Sequence, residues 1–372
     1  MGYADRVELY KKIEEIRKRP LITYVTSSRQ NAAGIMGSDV IPEFCKQLNE
    51  IPPSEQMIDV LIVSHGGDPI VSWQVISLLR ERFKKVGVLL PAHAYSSATL
   101  LALGADEIQM HPYSNLGPVD PQLHGMKKVP GKPEQNEEIH FGAEDLAHFI
   151  EFVTCDVGIT DQEQKERAFE LVCNEVGAIP IGIAKRSSNL SLSSSKKLLS
   201  LHMNDQSKVV AIAESLNKSF YHHGYPVGRQ EAKKIGLPVR NPDPELEALM
   251  WQVWIDLEKE MQCNNPFHPL HVVLNDPIMG PQLSAPIPQI QIPPNAPPDL
   301  LTQITQQILQ QGLPVTEIKP IEYELFQATI ESTRVRSEFR TQLKIAAVRM
   351  PDLNIKVNVA PMSQGWKTID TA

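Results

Sequence analysis

The stretch that decides the fold is PAHAYSSATLLALGADEIQMHPYSNLGPVDPQ, residues 91–122. It sets Ser96 and Ser97 between an apolar run ending at Pro91 and an Ala/Leu-rich helical segment, 97–103, which stops at Gly104. Upstream, SHGGDP places Gly66 and Gly67 just after the apolar run 59–63. A glycine pair after one buried strand and a serine opening a helix after the next are parts an acyl-transfer site needs. The glycines offer backbone N–H groups to a developing oxyanion, and the serine is a candidate nucleophile.

Outward from this stretch, strand and helix signals alternate. Residues 20–26 (PLITYVT) form an apolar, β-branched run, and 59–64 is apolar without alternation, as in a strand covered on both faces. Asp39 can cap a helix running to residue 49, with Ile41, Phe44, Cys45 and Leu48 on one face. Residues 70–83 have helical periodicity, and 86–91 and 107–110 read as further strands. The alternation predicts βαβ units and a parallel sheet. Residues 144–216 read as mostly helical, with one helix at 165–176 and a long helix or pair over 184–218. A short helix at 229–235, closed by Gly236, and another at 244–261 follow. Prolines crowd 266–298, which predicts an extended linker or arm. Alternation in QLKIAAV and NIKVNV predicts a small antiparallel sheet from strands at 323–332, 340–348 and 354–359. The expected organisation is an α/β domain over 1–262, a proline-rich arm over 263–300 and a small β-rich unit over 301–372.

Composition narrows the function. The 372 residues are 42% hydrophobic and 22% charged, which suits a soluble globular protein. A net charge of −8 and a pI of about 5.8 disfavour a general nucleic-acid partner. Cys45, Cys155, Cys173 and Cys263 lack CxxC or metal-type spacing and read as reduced thiols. No metal is expected, and the absence of a GxGxxG loop argues against a dinucleotide cofactor. The N-terminal MGYADRVELYKKIEEIRKRP is a charged amphipathic helix without the apolar core of a signal peptide. No run approaches the ~18 apolar residues of a membrane span, so the expectation is a cytoplasmic protein without an integral membrane segment.

Each candidate group has a plainer reading beside the catalytic one. Ser96 or Ser97 could be a helix N-cap, and the glycines only a tight turn. Asp68 reads as the cap of the following helix. His65, in the loop beside the glycines, reads as a structural donor rather than a base, and His93 and His111 sit at strand ends, where packing roles prevail. His222 and His223 lie in a loop with Tyr225 and Pro226, a better setting for a mobile imidazole. Lys185, Lys196 and Lys197 read as solvated helix charges, although a desolvated lysine can act as a base towards serine. Asp120, in LGPVDPQ, fits either an Asx-turn or the residue that orients a histidine.

Together SHGGDP, AYSSATLLALGADEIQMHPYSNLGPVDPQ, KKLLSLHM and YHHGYPVGRQEAKKIGLPV, spread over residues 15–260, resemble the serine dehydrogenase proteinase family, relatives of the Clp protease and signal peptide peptidase A. The resemblance implies the spiral ββα fold shared with crotonases and a serine peptidase that needs no cofactor or metal. It also implies a triad in the order Ser, Asp, His. Matching AYSSAT to the family's M-S-A-G-T type segment puts the nucleophile at Ser96, and LGPVDPQ carries the acid to Asp120. The family's H-x-Y-P pattern falls on His223, Gly224, Tyr225 and Pro226, pointing to His223 as base. Gly66 or Gly67, with Ser97, would supply the oxyanion N–H groups. Two positions depart from the pattern: Ala98 replaces a glycine, and His65 precedes the glycine pair where the superfamily usually has proline. Related signal peptide peptidases use lysine, which keeps Lys185 as the reserve base. The implied partners are a peptide or protein substrate and further copies in a homo-oligomer. Two other functions stay open. One is a Clp-fold binding or scaffolding protein that has lost efficient catalysis. The other is a crotonase-like acyl-CoA enzyme, against which a serine at the start of the helix argues.

Overall fold

The apolar runs of the first third become a parallel sheet wrapped on both faces by helices. The computed structural model describes residues 2–120, 122–129, 132–218, 224–284, 297, 299–300, 302–303, 315–350 and 354–369. Helix α1 (Tyr3–Arg17) leads into β1 (Leu21–Thr26), and α2 (Ile41–Asn49) into β2 (Met57–Val63). Next come α3 (Pro69–Arg82), β3 (Lys85–Leu90), the short β4 (His93–Ala94), α4 (Ser97–Leu103) and β5 (Glu107–Met110). Strands β1, β2, β3 and β5 pair in parallel, with Leu21 opposite Asp59, Met57 opposite Lys85 and Gly87 opposite Glu107. All six residues of β1 are buried, as the non-alternating apolar pattern requires. On one face Ile22, Val60 and Val88 pack with Phe44, Val75, Leu79 and Leu101. On the other, Leu21, Leu61 and Leu89 pack with Tyr10 and Ile13 of α1.

The middle of the chain continues with β6 (Asn115–Leu116), the antiparallel pair β7 (Gln122–Val129) and β8 (Lys132–Gly142), and helices α5 (Ala143–Glu151), α6 (Gln162–Val176), α7 (Ala178–Ser200) and α8 (Gln206–Lys218). The helices match the sequence expectation, whereas the β7–β8 pair carries no clear period-2 signal and goes unread. Then β9 (Val227–Gly228), α9 (Arg229–Ile235), β10 (Val239–Arg240) and α10 (Pro244–Glu260) complete the segment. Helix α10 lies beside α1, with Leu249, Val253 and Trp254 closing that face of the core.

Two features beyond residue 262 differ from the sequence reading. Residues 266–284, expected to belong to an extended arm, hold the short helices α11 (Pro269–Leu274) and α12 (Met279–Leu283). Phe267, Val273 and Leu283 are buried there against Ile318, Leu325 and Ile345. Prolines at the first turns of helices are compatible with helix, so a high proline count concealed helix starts. Residues 285–296 of the expected arm lie outside the described residues. The C-terminal β-pattern forms β11 (Thr316–Glu317), β12 (Ile321–Glu331), β13 (Arg336–Arg349) and β14 (Ile355–Ile369). Strand β12 pairs antiparallel with β1, Thr23 opposite Glu331. The sheet therefore runs β10-β5-β3-β2-β1-β12-β13-β11, with β14 on β13. A wholly buried β1 could not leave its outer N–H and C=O groups unpaired, and β12 pairs them. Among the described residues no helix is long and apolar enough to cross a membrane.

A buried ionic cluster fastens this junction. The fully buried Arg6 donates through Nε to Glu331 Oε1 at 2.6 Å and through Nη1 to Asp256 and Glu260. Tyr10 Oη donates to the same Glu331 carboxylate. The cluster ties α1, α10 and β12 together, and removing one partner strands the others without water. Arg6→Met should cost about 3–5 kcal/mol of unfolding free energy, read by urea denaturation. Deleting residues 315–372 should leave β1 as an open edge and give insoluble protein. A soluble, cooperatively unfolding truncation would overturn this account.

Candidate active site

Ser96 occupies the N-cap position of α4, yet its hydroxyl makes no capping hydrogen bond. The plain N-cap reading therefore does not describe it. Its backbone has φ 51° and ψ −119°, a region normally left to glycine and costing a side-chain-bearing residue on the order of 1–3 kcal/mol. The next serine is different. Ser97 is 1% exposed, and its hydroxyl is buried without a hydrogen-bond partner among the described residues. Of the two, Ser96 is half-buried and Ser97 is enclosed.

The glycine turn lies against this serine. A Cβ built on Gly66 would lie 2.6 Å from the Tyr95 carbonyl oxygen, 3.0 Å from Ser96 Cβ and 3.0 Å from Ser97 N, and Gly66 has φ +97°. Only glycine lets these two chains approach so closely. The Gly66 N–H is already committed, donating to Ser64 Oγ at 3.0 Å. On the other side, Met36 N donates to Gly66 O at 2.8 Å and Asp68 N donates to Met36 O at 2.9 Å. In such a parallel bridge the intervening Gly67 turns its own N–H away from Met36. Of the glycine pair, Gly66 thus has its N–H engaged while Gly67 turns its N–H away from Met36, and Ser97 N, at the first position of α4, lies against Gly66. Asp68 caps α3, accepting from Ile70 N at 2.8 Å.

Thr99 and Ser64, unremarked in the sequence, position these parts. Thr99 Oγ1 reaches the carbonyls of Ala94 at 2.7 Å and Gly117 at 3.0 Å, and accepts from Gly117 N at 3.1 Å. It thereby draws the 115–120 segment onto the start of α4, where Gly117 packs on the Tyr95 ring. Asp120, half-buried, follows on that segment, and Val119 N donates to Leu216 O of α8 at 3.0 Å. His223, like His222, lies outside the described residues. The chain on either side of it is anchored to the segment carrying Asp120, through Leu216 and through the pairing of β9 with β6. Lys185 is exposed on α7, off the buried stripe of Ala184, Ser188, Ser191 and Ser195.

Three rings border the turn. His65 and His93 lie 4.5 Å apart, His65 stacks on Tyr95 at 5.6 Å, and His93 meets the edge of Trp254 at 5.7 Å. Burial, then the neighbouring His65, pushes the His93 imidazole down to about 3, and burial lowers His65 as well. His111 stacks on Trp251 at 4.8 Å, so His93 and His111 do pack at the strand ends.

Residues 2–131 match the profile of the ClpP-like SDH-type serine proteinase family. That stretch contains Gly66, Gly67, Ser96, Ser97 and Asp120 and ends before Lys185 and His223. An uncharacterized protein of Methanocaldococcus jannaschii is 26% identical over 247 residues, covering 64% of this chain and 75% of that protein. Among solved structures, the 1510-N membrane-bound stomatin-specific protease aligns with a TM-score of 0.37 at 15% identity, covering 62% of this chain and 84% of that one. ClpP1 from Listeria monocytogenes aligns with a TM-score of 0.31 at 12% identity, covering 64% and 99%. The chain is a mixed α/β protein with a parallel-rich sheet, and its residues 2–131 resemble this peptidase family.

The neutral histidine pair has a consequence for acid stability. The unfolded chain binds protons at these imidazoles below a pH of about 6.5, while the folded chain refuses them until about 3 at His93. Unfolding free energy should therefore fall as pH drops through that window. His93→Leu should flatten the slope in urea midpoints measured from pH 7 to 4, and an unchanged slope would refute the linkage.

Proposed function

We propose that the protein is a serine peptidase that hydrolyses peptide bonds through an acyl-enzyme at Ser96. The observation that carries this reading is the strained, uncapped backbone of Ser96 pressed against Gly66. Strain of this kind at an accessible hydroxyl is characteristic of nucleophile turns. In the first half-reaction Ser96 Oγ attacks the scissile carbonyl carbon and His223 takes the hydroxyl proton. The carbonyl oxygen becomes an oxyanion held by the N–H groups of Gly67 and Ser97. The C–N bond then breaks, with the proton passing from His223 to the leaving amine. Water, deprotonated by His223, next attacks the ester. Its C–Oγ bond breaks, and the proton returns to Ser96. Asp120 orients the imidazole and stabilises its cationic form. The anchoring of both flanks of His223 to the Asp120 segment supports this pairing, and the exposure of Lys185 argues against a lysine base.

A fluorophosphonate probe should label Ser96, and Ser96→Ala should lose peptidase activity by ~10⁴-fold or more with folding intact. Labelling at Ser97 would overturn the assignment. With His223 as base, kcat/KM should fall at acid pH with an apparent pKa of about 6–7, and His223→Ala should be nearly inactive. Activity that survives in His223→Ala and rises only at alkaline pH would transfer the role to Lys185.

The proposal extends to a cytoplasmic homo-oligomer. Phe152, Val157, Phe169, Leu171 and Ile179 are exposed within one helical stretch, from the end of α5 to the start of α7. Such a concentration of apolar surface favours a protein contact. Light scattering at micromolar concentration should give a mass that is a multiple of 41.6 kDa. A monomer there would rule the assembly out.

A further inference from the structure

Beside the glycine turn lies a groove of about 550 Å³ with walls from distant parts of the chain: Gly34 and Ile35 before α2, Gln327 of β12, Phe339 of β13 and Trp366 of β14. Ile35 is 74% exposed, an aliphatic side chain standing in water with no packing duty of its own. Opposite it, Trp366 meets Phe339 edge to face at 5.5 Å and donates from Nε1 to Asp39 at 2.7 Å. The indole is thereby fixed with apolar surface towards the groove.

The groove wall is held rigidly. The β12–β13 register skips Gln327, which bulges out of the ladder. Its carbonyl accepts from Ser27 N at 2.7 Å, its amide donates to Ala33 O at 3.2 Å, and Gly34 N donates to Ser27 O at 2.8 Å. A Cβ at Gly34 would come within 1.9 Å of Gln327 O, so the loop is seated on the bulge with no slack. Bulges of this kind re-aim chain segments beside active sites. The next residue, Met36, is bridged to Gly67. The 34–37 loop, the glycine turn and the segment carrying Ser96 thus run side by side. Neighbouring chains lie about 4.8 Å apart, which puts Ile35 on the order of 10 Å from Ser96. An extended polypeptide covers that in about three residues.

We propose that this groove is a substrate subsite, holding an aliphatic side chain of a polypeptide about three residues from the bond cleaved at Ser96. The assignment rests on the peptidase reading above. It gives Trp366 and Phe339, far outside the family-matched segment, a part in specificity. Asp39 adds a carboxylate at the rim that disfavours acidic side chains.

The test separates binding from cleavage. Blocked Gly/Ser heptapeptides carrying one Leu or one Asp, moved through every position, are titrated into the Ser96→Ala full-length protein while tryptophan emission is followed. At one position Leu should bind about 10-fold more tightly than Asp, as partial burial of a leucine side chain gives. Ile35→Ser, at an exposed position, and Trp366→Phe should both shrink that ratio towards one. A ratio near one in the parent, or one unaffected in both variants, overturns the subsite. Wild-type protein is labelled in parallel with fluorophosphonate. If Ser96 resists the probe while the Leu preference persists and depends on Ile35, the peptidase reading falls and the groove stands as a peptide-binding site.

Discussion

Everything at the candidate site depends on one close approach, that of Gly66 to the Tyr95–Ser97 backbone. The two chains leave adjacent parallel strands, and such strands run about 4.8 Å apart. A side chain at position 66 would meet backbone atoms on the other chain within 3.0 Å, and backbone cannot rotate out of the way. Glycine therefore lets the two strand ends stay together beyond the sheet. That proximity brings the Gly66 backbone against Tyr95 O, Ser96 Cβ and Ser97 N. The sheet supplies the parallel direction that makes both strand ends emerge on one side.

The C-terminal strands take part in the same arrangement. By pairing with β1, β12 extends the sheet across what would be its open edge, and the bulge at Gln327 seats the loop that bridges to the glycine turn. Arg6, Glu331 and Asp256 lock this extension to α1 and α10 without access to water. A charge cluster of that burial is weak as a source of net stability but strict about geometry, since any misdocked arrangement leaves an ion unpaired. It thus specifies where β12 sits, and through β12 the position of the loop beside the site.

Much of this was legible in the sequence because periodicity reports burial. The apolar runs at 20–26, 59–64, 86–91 and 107–110 became strands, and 70–83 and 97–103 became helices, because each pattern has one burial geometry that satisfies it. Gly66, Gly67 and Ser96 were legible as a constellation because turn and helix-start chemistry restrict residue types. What escaped is equally physical. Local pattern shows that 323–332 is a strand but not which neighbour it pairs with, so its addition to β1 was unreadable. Proline counts cannot separate an extended arm from helices that begin with proline, as in α11. Nor could the sequence divide the glycine pair, since the distinction rests on Ser64 Oγ accepting from Gly66 N.

The strain at Ser96 persists only if its surroundings over-determine it. A conformation costing on the order of 1–3 kcal/mol relaxes when the bonds around it are few. Here Tyr95 N donates to Ser64 O at 3.0 Å, Ala98 N to Tyr95 O at 2.9 Å and Leu100 N to Ser96 O at 3.1 Å. Thr99 adds its links to Ala94 and Gly117, and Ser72 Oγ donates to the Ser97 carbonyl. Each such bond is worth about 0.5–1.5 kcal/mol net, and a buried group left unpaired costs more. Several would have to break for Ser96 to reach an ordinary backbone conformation, so the sum exceeds the strain. The energy that holds Ser96 in this backbone conformation therefore comes from neighbouring segments rather than from Ser96 itself. Ser64, Ser72 and Thr99 are small hydroxyl residues because only such groups can donate and accept within a backbone packed this tightly.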